Sequence, residues 1–88
     1  MMQKIEQLRE KIEKIDAAII EHLAARKILS EQIGQLKIDM GKAVLDPARE
    51  EYLLKQHKKV SLEYGLDPLF VTELFKIIFS YSHSLQKS

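Results

Sequence analysis

The chain has 88 residues, 45% of them hydrophobic and 31% charged, which fits one small globular domain. Fourteen Lys and Arg against 13 Asp and Glu leave a net charge of +1, which argues against a nucleic-acid module. The absence of cysteine excludes disulfides and thiolate chemistry, so a core this small must find extra stability elsewhere.

The N-terminus, Met1 to Glu6, carries no apolar signal-peptide stretch. No apolar run approaches the roughly 18 residues of a membrane span. A cytoplasmic chain that binds neither nucleic acid nor membrane is therefore expected. From residue 5 onward, Ile5, Leu8, Ile12, Ile15, Ile19 and Leu23 recur at steps of three and four, the period of an amphipathic helix. Leu29, Ile33 and Leu36 continue these rows, and Ile20, Ala24 and Ile28 add a second one. No proline interrupts residues 2 to 40, and Gly41 is a natural stop. A helix of about 36 residues is about 54 Å long, well beyond the diameter of a globule of this size. The rest of the chain cannot cover it, so the spacing predicts a second copy as its cover, in a C2 homodimer.

Asp46-Pro47 reads as an N-cap followed by proline in the first turn, opening a second helix over about 47 to 64. Leu53, His57, Val60 and Tyr64 form its apolar stripe, and Gly65 ends it. Asp67-Pro68 repeats the start signal for a third helix that runs to the C-terminus. Phe70, Leu74, Ile77, Ile78, Tyr81 and Leu85 are expected inward on it. The predicted fold is all-α: one very long helix and two shorter ones in a single domain, intertwined as a dimer.

Polar residues interrupt these rows. Of the 14 basic residues only Arg9, Arg26 and Arg49 are arginine, whose planar fork holds carboxylates better than lysine does. Arg26, Ser30, Ile33 and Lys37 stand at offsets 0, 4, 7 and 11 and share one helix face. That composition suits the wall of an anion pocket, and equally a solvated face. Arg9 precedes Arg26 by 17 residues, about 25 Å along the axis and roughly 100° around it. If both serve one small ligand, Arg9 comes from another subunit. The start of the second helix, Asp46-Pro47-Ala48-Arg49-Glu50, presents free N–H groups and a positive dipole end. Asp46, Pro47 and Glu50 are explained by capping and the dipole, whereas Arg49 opposes the dipole. His22, His57 and His83 show neither metal-ligand spacing nor a common face, and His57 reads as a core or interface residue.

The ordered set resembles the all-helical chorismate mutases over nearly the whole chain. Its carriers are Leu8-Arg9-Glu10-Lys11-Ile12 with Asp16, Leu23-Ala24-Ala25-Arg26, Ile33 to Lys37, and Asp46-Pro47-Ala48-Arg49-Glu50. Gly65-Leu66-Asp67 follows, then Leu74-Phe75-Lys76-Ile77-Ile78 leading to Ser82 and Gln86. The resemblance implies a dimer with two equivalent sites that convert chorismate to prephenate without metal or cofactor. Arg26, Arg49 and the partner's Arg9 would hold the substrate carboxylates, helped by Ser82 and the backbone at Asp46. Lys37 and Gln86 would contact the ether oxygen, Glu50 with Lys37 the ring hydroxyl, and Ile33 and Phe79 would line the pocket. Phe79-Ser80-Tyr81-Ser82 departs from the family habit of an apolar residue followed by acidic ones. Gln86 stands two residues before the last residue of the sequence, where fraying is expected, and no appended regulatory domain is expected. An isochorismate pyruvate lyase of the same fold is the related alternative, with Glu50 as discriminator. A non-catalytic helical dimerisation module is the alternative from another class.

Overall fold

A computed structural model describes residues 2–86, with side chains over 4–85. It contains three helices and, among the described residues, no strand: α1 (Met2–Asp39), α2 (Pro47–Glu63) and α3 (Pro68–Gln86). None of these helices is long and apolar enough to cross a membrane. The chain divides into two units, one up to Ser30 and one from Glu31 onward, and α1 crosses the boundary without a break.

The helix ends follow from local chemistry. At the end of α1, Gly41 N–H donates to Ile38 C=O (3.0 Å) and Lys42 N–H to Lys37 C=O (2.8 Å). This is a Schellman closure, and Gly41 supplies the required left-handed residue at φ +68°. The end of α2 repeats it: Gly65 N–H meets Leu62 C=O at 3.2 Å and Leu66 N–H meets Ser61 C=O at 2.8 Å. Gly65 has φ +70°, which a side chain adopts only under strain. At the helix starts, Asp46 Oδ1 accepts from Arg49 N–H and Asp67 Oδ1 from Leu69 N–H, each at 3.0 Å. Both aspartates precede a proline that needs no donor partner in the first turn.

In the second unit, α2 and α3 pack against each other. Ser61 on α2 and Val71, Thr72, Phe79 and Ser82 on α3 are buried. Rings fill the middle: His57 lies 3.9 Å from Phe75 between centroids, and Phe75 lies 6.3 Å from Phe79. The reading of His57 as a packed residue holds. Other expectations about facing do not. Val60 on α2 and Tyr64, which caps its C-terminus, are exposed, as are Phe70, Leu74, Ile77 and Tyr81 on α3. The row 71, 75, 78, 82 meets α2 instead, about 100° around α3 from the expected one. Helix α3 is apolar on two sides, so periodicity alone could not choose which one α2 takes.

The first unit contrasts with this. Ile5, Leu8, Ile12, Ile15, Ile19 and Leu23 are each 41–59% exposed in the single chain. The amphipathic period is present, and its apolar side carries the exposure.

Candidate active site

The second unit holds most of the polar residues expected to act. Lys37 occupies the last turn of α1, and its position is set twice over. Its carbonyl accepts from Lys42 N–H in the Schellman closure, and its Nζ donates to Val44 C=O at 3.2 Å. An ammonium has three donors, so this contact leaves Nζ further capacity toward a ligand. Half-burial of Lys37 beside the connector suits a fixed cation better than a solvated one.

At the start of α2, Asp46 is engaged as the cap. Arg49 is tied through its backbone to Asp46, and its guanidinium lies 5.2 Å from the centroid of the Tyr52 ring. That is a cation–π distance, and it directs the planar fork along the outside of α2. Glu50, next in sequence, points toward α3. Its Oε2 accepts a hydrogen bond from Nε2 of His83, a contact spanning 33 residues of sequence. A carboxylate only accepts, so His83 donates, either as the Nε2–H tautomer or as imidazolium. Both side chains are about one-third exposed, at 32% for His83 and 29% for Glu50.

A groove of about 360 Å³ opens over this pair, lined by Pro47, Glu50, Glu51, Leu54, Lys76, Phe79, Ser80 and His83. It brings together two of the expected residues, Glu50 and Phe79. Lys37, Arg49 and Ser82 do not line it, and Ser82 is buried in the single chain. Ile33 is exposed on α1, and Gln86 closes α3 with its side chain outside the described residues. Among the described residues, no group of three or more His, Asp or Glu side chains is placed to hold a metal ion.

In the first unit, Arg26 and Ser30 are half-buried, unlike most of their exposed neighbours on α1. Arg9 is exposed and pairs with Glu6 one turn earlier, Nη1 to Oε1 at 2.9 Å. A solvated pair of this kind contributes about 0–1 kcal/mol, so it holds Arg9 only weakly against a competing carboxylate.

His83 is the residue that sequence reasoning passed over. Residues 22, 57 and 83 give the three histidines no metal-ligand spacing, so that pattern does not single His83 out. The signal that does find His83 is positional. Phe79, His83 and Gln86 stand at i, i+4 and i+7, so the histidine shares a face with two expected site residues.

Comparison with known proteins agrees along nearly the full length. The family model described as chorismate mutase type II matches residues 8–87. A chorismate mutase from Methanocaldococcus jannaschii is 30% identical over 87 residues, covering 99% of this chain and 88% of the relative. A bifunctional chorismate mutase/prephenate dehydratase from Buchnera aphidicola is 35% identical over 79 residues, and its counterpart from Escherichia coli 32% over 81. The chain spans only about a fifth of those two longer relatives, 20% and 21%.

Proposed function

This chain belongs to the chorismate mutase type II family, and from that premise we propose that it converts chorismate to prephenate by an intramolecular [3,3] rearrangement. The observation that carries the reading is the family match over residues 8–87, an interval that takes in every polar position singled out, from Arg9 to Gln86.

The chemistry suits the residue types. The substrate is a dianion, so arginine forks at Arg26, Arg49 and the partner copy's Arg9 are apt holders for its carboxylates. One C–O bond breaks and one C–C bond forms through a cyclic, chair-like transition state. No proton moves and no covalent intermediate forms, so no nucleophile or general base is required. Rate enhancement then has two sources. Binding fixes the side chain over the ring, removing the entropy of reaching the reactive conformer. Donors already in place stabilise negative charge growing on the ether oxygen as its bond to carbon breaks. Lys37 serves as the first such donor, and its double tether to the connector supports that role. Gln86 serves as the second, Glu50 accepts from the ring hydroxyl, Ser82 and the Asp46 backbone assist at a carboxylate, and Ile33 and Phe79 line the pocket.

The active species is a homodimer. The exposed apolar row from Ile5 to Leu23 supports this, because a second copy would remove that surface from water at about 25 cal/mol per Å². A cytoplasmic location accompanies this reading.

Incubation with chorismate and, separately, isochorismate tests it, with prephenate and salicylate followed as products. Prephenate from chorismate, with no salicylate from isochorismate, is the expected result. Salicylate formation would replace the mutase with a pyruvate lyase, and silence toward both substrates would leave a non-catalytic dimerisation module.

A further inference from the structure

Glu50 and His83 form a hydrogen-bonded pair within the second unit. It joins the first turn of α2 to the last turns of α3, and both side chains are about two-thirds withdrawn from water. A glutamate in the first turn of a helix is satisfied by the dipole alone and needs no histidine. An unrestrained glutamate samples many rotamers, and a donor on Oε2 selects among them. The second oxygen, Oε1, accepts none of the described hydrogen bonds and keeps its lone pairs for a ligand. The same groove wall carries Phe79, one turn before His83, so an apolar ring face and an oriented carboxylate border one space. Glu51 and Lys76 also line the groove, and Lys76 lies 3.8 Å from Glu73.

We propose that His83 is a positioning residue: by donating to Glu50 Oε2 it aims Oε1 at the ring hydroxyl of the substrate. The inference rests on the mutase reading and adds to it the residue that sets how well that hydroxyl is gripped. The hydroxyl oxygen belongs to neither the C–O bond that breaks nor the C–C bond that forms, so its contact should change little between the ground state and the transition state. Uniform binding of that kind appears in KM and leaves kcat nearly unchanged.

The test is steady-state kinetics on chorismate for His83→Leu, His83→Gln and the same changes in a Glu50→Ala background. His83→Leu should raise KM about tenfold, with kcat within about threefold. His83→Gln keeps an N–H donor and should return KM to within about threefold of the parent. In the Glu50→Ala background, His83→Leu should cause no further rise, because the group it acts through is gone. His83→Ala replaces the leucine variant if that fails to fold, alanine being the residue best tolerated in a helix. An active parent with unchanged KM in the leucine variant overturns this inference and leaves the mutase reading standing. The same holds for a loss confined to kcat, or an undiminished loss in the Glu50→Ala background. A parent that makes no prephenate overturns both.

Discussion

The two ends of the molecule solve the same problem differently. From Glu31 onward, α2 and α3 bury Val71 and Phe79, and an aromatic cluster of His57, Phe75 and Phe79 locks their packing. Up to Ser30, six aliphatic side chains in perfect helical register remain substantially exposed. Amphipathic spacing is thus necessary for a buried face and insufficient to say what buries it. In the second unit the partner is sequence-adjacent, a hairpin closed at Gly65. In the first, the proposed partner is another copy, and with it comes Arg9.

The largest effect that sharpens this contrast belongs to Lys37, the cation tethered to the connector at both its carbonyl and its ammonium. Lys37→Ala should lower kcat/KM by about 10²–10³-fold or more, the scale of losing one transition-state oxyanion donor. Circular dichroism should show the helices intact, since alanine favours helix. A variant with near-normal turnover would separate the ordered end of α1 from the chemistry.

Next in size is the apolar row itself. Ile12 is 56% exposed in the single chain. If that exposure persists in solution, Ile12→Ala changes stability by less than about 0.5 kcal/mol, as surface substitutions do. In a dimer core the same change should cost about 2–4 kcal/mol. Thermal melts at several protein concentrations read both the loss and the dimer, because Tm then depends on concentration. We expect the large loss with a concentration-dependent Tm.

A smaller effect probes the hairpin. Gly65→Ala should destabilise by about 1–2 kcal/mol, from a side chain forced into the left-handed region. Nothing lies within 4 Å of the added methyl, so backbone strain is the whole cost. Urea denaturation reads it, and a neutral result would mean the α2 terminus relaxes freely.

Much of this architecture was legible in the sequence because its signals are local. Asp46-Pro47, Gly65 and Asp67-Pro68 marked helix boundaries that the structure meets to within a residue: α2 ends at Glu63 against an expected 64, and α1 at Asp39 against 40. What was illegible is relational. Helix α3 carries apolar rows on two sides, and only the position of α2 decides that Val71 and Phe75 turn inward while Phe70 and Leu74 do not. At the site, Lys37 was marked by residue type and spacing, whereas Glu50 was marked only by the family resemblance. The hydrogen bond from His83 to Glu50 crosses 33 residues and leaves no trace in either local pattern.

The central proposal is that Arg9 of one copy serves the substrate held by another, and subunit complementation tests it most directly. Arg9→Ala and Lys37→Ala homodimers should each be nearly inactive, because every site in either lacks one residue. Unfolded together and refolded as a mixture, the two variants form mixed dimers in about half of cases if pairing is random, as C2 symmetry allows. One site in each mixed dimer then has both residues, so about a quarter of all sites should recover activity. Recovery near that level is the predicted result. No recovery, with mixed dimers demonstrated by mass, would contradict the account and assign Arg9 to its own chain.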